Sequence, residues 1–267
     1  MSQDLEAAVI AACTKHEKQN SRNLDYRACV YIGTDYFVKY GARRDLELEL
    51  ATQEFIFTHA QQTNAPDAPR IAKIVHHFVD KWTMYLVMER IKLQESPPDL
   101  AARIQKAMKW LSEVPLPSNY ALGPIGRGPI RHMFFKDFEA PFVFPDVVTL
   151  EQYVKRASRL LPHSTQKKLS PVSICGERLM FTQSDMHDSN FGVDEHGRTV
   201  LMDFNTIGLL PETFVAFTLC SDDKLRAIAA SLGLSGNSNL ASMAAICCCL
   251  WMASNPTFGM AKELSEN

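Results

Sequence analysis

A carboxylate and an amide five residues apart, Asp185 and Asn190, stand in the stretch FTQSDMHDSNFGVDEHGRTVLMDF, residues 181–204. On an exposed loop such a pair can supply a proton acceptor and a ligand for a hard cation at once, since carboxylate and amide oxygens both suit one. A second carboxylate, Asp203, follows two short apolar segments, 191–193 and 199–202, separated by the turn residues Asp194, Glu195, His196 and Gly197. Those segments read as a tight hairpin that returns Asp203 to the side of Asn190. The chemistry that needs this set is phosphoryl transfer, which is mostly positioning plus neutralisation of charge by magnesium. The competing reading is an acid-rich surface loop beside an ordinary hairpin, because Asp and Asn favour turns anyway.

The elements that must position these groups begin upstream. A helix is expected over 4–17, then a β-hairpin from 28–32 and 36–40 around Gly33-Thr34-Asp35. Its second strand carries Lys39 between Val38 and Tyr40. A lysine inside an apolar strand needs an anion, phosphate or carboxylate, to offset partial burial; the alternative is an edge lysine that points to water and guards against aggregation. A long helix over 44–62 follows, then strands at 70–78 and 82–88, and a break at Pro97-Pro98. Beyond it, Leu100, Ile104, Met108 and Leu111 recur at helical spacing behind Asp99 as N-cap. Further helices are expected at 150–161, 222–232 and 240–252. The last holds Cys247, Cys248 and Cys249, which point three ways on a helix and so read as small buried core residues rather than one metal site. The irregular stretch 120–146, rich in Gly, Pro and aromatics, is long enough to be a functional loop or lid and is expected to border an acceptor site.

Aspartate, four residues, asparagine, then a strand ending in Asp-Phe resembles the catalytic and metal loops of kinases. In particular, Ser184-Asp185-Met186-His187-Asp188-Ser189-Asn190 with Leu201-Met202-Asp203-Phe204 resembles the aminoglycoside phosphotransferase family, including its fungal-type members. The resemblance spans about residues 28–217. It implies an α+β, bilobal protein-kinase-like fold: an N-terminal nucleotide-binding lobe over 1–91 with an antiparallel sheet and one helix, and a mostly helical C-terminal catalytic and acceptor-binding lobe over 92–267. It also implies roles. Asp185 accepts or orients the acceptor's hydroxyl proton, Asn190 and Asp203 hold magnesium, and Lys39 steadies the α and β phosphates of ATP. A glutamate of the 44–62 helix holds Lys39, with Glu54 preferred and Glu47 or Glu49 as alternatives. Backbone groups of the hinge from Glu89 to Ile91 meet the adenine. Gln183 stands where the family has a loop-bracing histidine, a task a glutamine's amide can also perform. His187 occupies the place of a frequent second histidine. Gly128-Pro129 and Ala140-Pro141-Phe142 look like elements of the fungal-type members.

Composition narrows the partners. The chain of 267 residues has 28 basic and 30 acidic side chains and 46% hydrophobic residues, enough apolar surface for a sizeable core without a field that recruits nucleic acid or an anionic membrane. No apolar run is long enough to span a bilayer, and acids stand in the N-terminal stretch where a signal peptide carries basic residues. A cytoplasmic protein is expected. Between Thr213 and Lys262 the acids are Asp222 and Asp223, few for a polycationic ligand, so a small neutral or weakly charged hydroxyl compound is the expected acceptor. Two other functions fit less well: a catalytically silent kinase-like binding module, and a Ser/Thr protein kinase, disfavoured by the lone Gly33 where a glycine-rich loop belongs and by the lack of an Ala-Pro-Glu element. Nothing in the sequence sets the oligomeric state.

Overall fold

The computed structural model describes residues 3–260. The chain runs α1 (Gln3–Asn20), β1 (Cys29–Ile32), β2 (Tyr36–Ala42), α2 (Arg43–Thr63), β3 (Arg70–Ile71), β4 (Ile74–Asp80) and β5 (Thr83–Glu89). It continues with α3 (Leu100–Ser112), α4 (Val147–Ala157), α5 (His163–Gln166), β6 (Leu179–Gln183), β7 (Phe191–Val193) and β8 (Thr199–Leu201). The last elements are β9 (Ile207–Pro211), α6 (Glu212–Cys220), α7 (Arg226–Ser231) and α8 (Leu240–Met252).

The first sheet is antiparallel in the order β1-β2-β5-β4. Its two faces follow the two-residue period of a strand. Val38, Tyr40, Tyr85 and Val87 pack with Val9 and Cys13 of α1, whereas Met84, Leu86 and Met88 pack with Leu46 of α2. Lys39 alternates with Val38 and Tyr40, so the pleat alone turns it to the α2 face. On α2 the buried positions are Leu46, Glu49, Thr52, Gln53, Ile56 and Ala60, one stripe at helical spacing. The helix stops at Asn64, which takes the left-handed conformation (φ 43°) and donates its N–H to the Ala60 carbonyl.

Two features tie the N-terminal part of the chain to the rest. β3 pairs in parallel with β8, Ile71 beside Leu201, and Asp194, in the turn between β7 and β8, is fully buried. Its carboxylate accepts from the Arg70 and Arg198 guanidinium groups and from the His196 and Arg198 backbone N–H groups, each at 2.9 Å. Burial alone would raise its pKa, but these donors hold it down to about 2.

The main core lies among α3, α4, α6, α8 and the β6-β9 pair, filled by Phe134, Phe135, Phe144, Tyr153, Phe181, Phe204 and Phe214. β9 is buried along its whole length, and at Gly208 an added β-carbon would lie 2.7 Å from the Gly123 backbone carbon, so only glycine permits that approach. Strands β6 and β9 and helix α6 escape a periodicity reading, because segments covered on every side show an apolar run rather than a stripe. The three adjacent cysteines depart from expectation: Cys248 is exposed, and Cys247 and Cys249 are half-buried, because α8 packs through Met243, Ile246 and Leu250 instead. No helix among the described residues is long and apolar enough to cross a membrane.

Two buried polar groups in this core make stability predictions. The Tyr153 hydroxyl is buried without a hydrogen-bond partner among the described residues. Tyr153→Phe should therefore stabilise the fold by about 1 kcal/mol in urea unfolding, the desolvation cost of an unpaired hydroxyl. His132 is buried; its Nε2 donates to the Phe214 carbonyl at 3.0 Å and its Nδ1 accepts from the Phe134 N–H at 3.0 Å. Burial pushes its pKa down to about 4 from the ordinary 6.5. The unfolded chain takes up this proton below pH 6.5 and the folded one resists it down to about pH 4, so His132 contributes fully above that window and its contribution falls as pH falls through it. The loss across the window should be about 3 kcal/mol, and His132→Gln should remove that part of the pH dependence when unfolding free energies at pH 7 and pH 4 are compared.

Candidate functional site

The Lys39 ammonium lies 2.7 Å from Glu49 Oε1 and 2.7 Å from Asp203 Oδ1. Burial would drive its pKa down, but the two carboxylates outweigh that effect, so the pKa is raised and the side chain stays charged. Glu49 is buried, and burial pushes its carboxyl up against the pull of Lys39. Two carboxylates on one ammonium therefore leave Asp203 with negative charge to offer elsewhere, and its side chain is 38% exposed.

The loop after β6 holds the other groups. Asp185 is exposed, and its Oδ1 accepts the His187 N–H at 3.2 Å. Asn190 closes a 3-10 turn at Asp188–Asn190 whose entry is capped by His187, with Nδ1 accepting the Ser189 N–H. Asn190 Nδ2 donates to the Asp185 carbonyl at 2.9 Å, and the Asn190 carbonyl accepts the Met202 N–H at 2.9 Å. The β7-β8 pairing, Phe191 opposite Leu201, brings Asp203 back beside this loop. Asp203 itself takes φ 54°, ψ 78°, a left-handed conformation uncommon outside glycine and asparagine, and caps the 3-10 turn Phe204–Thr206.

Gln183 joins the two halves. It is fully buried; its Nε2 donates to the Asp203 carbonyl at 2.9 Å, while its Oε1 accepts the Asp185 N–H at 3.2 Å and the Thr206 hydroxyl. One amide with a donor end and an acceptor end thus fixes the Asp185 loop to the Asp203 bend.

The structure brings Lys39, Asp185, Asn190 and Asp203 into one bonded group and leaves Glu54 outside it. Glu54 is exposed, and at ~100° per residue it lies about 140° round α2 from Glu49. Glu49 is the partner of Lys39, and it sits on the same stripe as Leu46 and Ile56. That stripe was the available signal: a carboxylate on a buried face needs a cation opposite. Glu49→Gln should cost about 2 kcal/mol of stability in urea unfolding, because Lys39 keeps Asp203 but loses a buried charge partner. Glu54→Gln should stay within about 0.5 kcal/mol of the parent.

At the end of β5 the Glu89 carboxylate pairs with Arg70 at 3.3 Å and accepts the Lys73 N–H at 3.1 Å, and its own N–H donates to the Lys73 carbonyl. Arg90 donates its N–H to the Asp35 carbonyl at 2.7 Å. Ile91 follows, half-buried, just before Leu93 bridges to Asp194. Arg131, which a reading of the sequence passes over, also belongs here, with Asn205 and Thr206 of the segment that follows Asp203. Arg131 bonds to Asp45 and Asn205, partners far apart in the chain, so no local pattern betrays it.

No family model matches the sequence, and no curated protein matches it. Among solved structures, the GDP complex of a point mutant of aminoglycoside 2'-phosphotransferase-IIIa is similar at TM-score 0.50 and 14% identity, over 96% of this chain and 90% of that one. The wild-type GDP complex aligns at TM-score 0.49 and 13% identity over 96% of this chain and 91% of that one. Aminoglycoside phosphotransferase APH(3'')-Id from Streptomyces rimosus, in complex with ADP and streptomycin, aligns at TM-score 0.46 and 12% identity over 81% and 87%. Identity this low speaks to fold alone. The chain has the α+β, bilobal kinase-like fold of the aminoglycoside phosphotransferases.

Proposed function

We propose that this chain is a small-molecule phosphotransferase that moves the γ-phosphate of ATP to a hydroxyl group. The observation that carries the reading is the Lys39 ammonium held between Glu49 and Asp203, with Asp203 bonded through Gln183 to the loop that presents Asp185. An ammonium kept charged and partly accessible suits the α and β phosphates. The donor set also fits magnesium: Asn190 commits its N–H to the Asp185 carbonyl, which leaves Oδ1 as a ligand, and the half-exposed Asp203 carboxylate adds a second hard oxygen. When bound, magnesium supplies neutralisation of phosphate charge.

Asp185 is the exposed carboxylate of the group and takes the general-base role. The acceptor oxygen forms a bond to the γ-phosphorus, the bond to the ADP oxygen breaks, and the hydroxyl proton passes to the Asp185 carboxylate. Gln183 performs from a buried position the bracing that keeps this loop in register, which favours an active enzyme over a silent binding module. The Glu89 and Arg90 N–H groups already donate to the Lys73 and Asp35 carbonyls, so the Ile91 N–H and the carbonyls of Glu89 to Ile91 are the groups that receive the adenine, on the assignment of residues 1–91 to the nucleotide lobe and 92–267 to the catalytic and acceptor lobe. Gly128-Pro129 and Ala140-Pro141-Phe142 support a fungal-type member of the family, and seven free cysteines support a reducing, cytoplasmic setting. The scarcity of acids between Thr213 and Lys262 supports a neutral or weakly charged acceptor over a polycationic antibiotic.

A thermal-shift titration with ATP and magnesium tests the nucleotide half of this reading. A ligand that binds only the folded state raises the unfolding temperature with concentration, and the rise should require magnesium. A screen of sugars, hydroxylated metabolites and aminoglycosides for ADP release then identifies the acceptor; no shift and no release would return the chain to the silent-module reading.

A further inference from the structure

The irregular segment 113–146 between α3 and α4 carries none of the groups assigned to phosphate, metal or proton transfer, yet it is bonded to both elements that do. Arg131 Nη2 donates to Asp45 Oδ1 at 2.7 Å in the first turn of α2, and Nη1 donates to Asn205 Oδ1, two residues past Asp203. Its Nε lies 3.4 Å from Glu139 Oε2, on the same segment. A planar guanidinium with donors fixed in a fork can serve three acceptors arriving from different directions, as an ammonium cannot.

The contacts around it point the same way. The Ile125 N–H donates to the buried Thr52 hydroxyl of α2 at 3.0 Å. Gly128 lies so close to α2 that an added β-carbon would sit 2.2 Å from Leu48 Cδ1. Gly123 and Leu209 exchange both backbone hydrogen bonds, at 3.0 and 2.8 Å. Asp45, Leu48 and Thr52 bracket Glu49 along one helix, while Asn205 and Leu209 follow Asp203. The two carboxylates beside Arg131 already offset its charge, and each of its three nitrogens faces one acceptor, so it is a tie between elements and not a receptor for a phosphate.

We propose that Arg131 is a positioning residue that fixes α2 against the bend after Asp203, so that Lys39, Glu49 and Asp203 hold their arrangement before any nucleotide arrives. Its consequence for nucleotide rests on the phosphotransferase reading; the tie itself is a property of the free protein. Electrostatics agrees: burial raises the Glu49 carboxyl, Lys39 pulls it down, and the Arg131 charge adds to that pull. Kinase-like folds use the placement of this helix as a control point, and here the connecting segment holds it in place.

The test uses Arg131→Met, Arg131→Lys and Asp45→Asn in the full chain, with amide hydrogen exchange over 43–56 and 203–206 read without nucleotide. Arg131→Met should speed exchange in the first turns of α2 by about tenfold or more relative to the rest of the fold. It should raise the KM for magnesium–ATP about tenfold and change kcat less than about threefold. Arg131→Lys should recover part of both effects, since it can still reach one carboxylate. Asp45→Asn alters a 44% exposed side chain and should show the same signs at smaller size, so it decides the matter alone if Arg131→Met does not fold. Parental exchange in α2, or faster exchange spread evenly over the whole chain, would overturn the proposal. Failure of the parent protein to bind magnesium–ATP would sink the phosphotransferase reading instead, and the exchange comparison would still judge the tie.

Discussion

Asp203→Asn should fold like the parent and lose its response to nucleotide: the magnesium-dependent rise in unfolding temperature with ATP should vanish, and phosphoryl transfer should fall by a factor of about 10³ or more. Asparagine is the substitution to use. Asp203 sits at φ 54°, where asparagine is at ease and alanine would add backbone strain of roughly 1 kcal/mol or more. The Asp203 backbone carbonyl keeps its bond from Gln183, and Lys39 keeps Glu49 at 2.7 Å, so the surrounding frame stands. What goes is one negative charge facing both Lys39 and the metal position. A variant that still shows the full magnesium–ATP shift would remove Asp203 from the nucleotide site and take the proposed mechanism with it.

Asp185→Asn should have the opposite signature. Nucleotide binding should be retained, because Asp185 contacts neither Lys39 nor Glu49, and the amide oxygen of asparagine can still accept the His187 N–H that the carboxylate accepts at 3.2 Å. The turnover number should drop by about 10² to 10⁴, the range typical for loss of a positioned general base. Steady-state kinetics beside a nucleotide titration separates the outcomes: a raised KM for ATP with near-normal kcat would place Asp185 on the binding side of the site instead. Together the pair distinguishes a metal ligand from a base, two roles that acidic residues eighteen positions apart in a sequence do not declare by type.

Much of the fold was legible before any coordinate. The β1-β2 hairpin, α2, α3, α8 and the β7-β8 hairpin follow from period-2 and helical patterns punctuated by turn residues, because each has one face in the core and one outside. The elements that went unread, β6, β9 and α6, are covered on nearly all sides and so carry no stripe. The three cysteines of α8 show the converse: an apolar run does not by itself mean burial, because a helix buries the face its neighbours reach.

The site divides along the same line. Residue type and spacing alone determined that Asp185, Asn190 and Asp203 form one group, since a short hairpin with a three-residue pairing has little choice in where it returns its last residue. For Lys39 they left two readings, an anion partner or an edge lysine in water, and the ion pairs to Glu49 and Asp203 decide for the first. Which glutamate answers it is marked in the sequence only by the Leu46–Ile56 stripe that Glu49 shares, and the packing of α2 on the sheet makes that stripe the buried face. The tie through Arg131 was wholly a tertiary outcome. The two partners that make it a tie lie 86 and 74 residues away in the chain, and a bond across such separations depends on how the core closes, which no local pattern encodes.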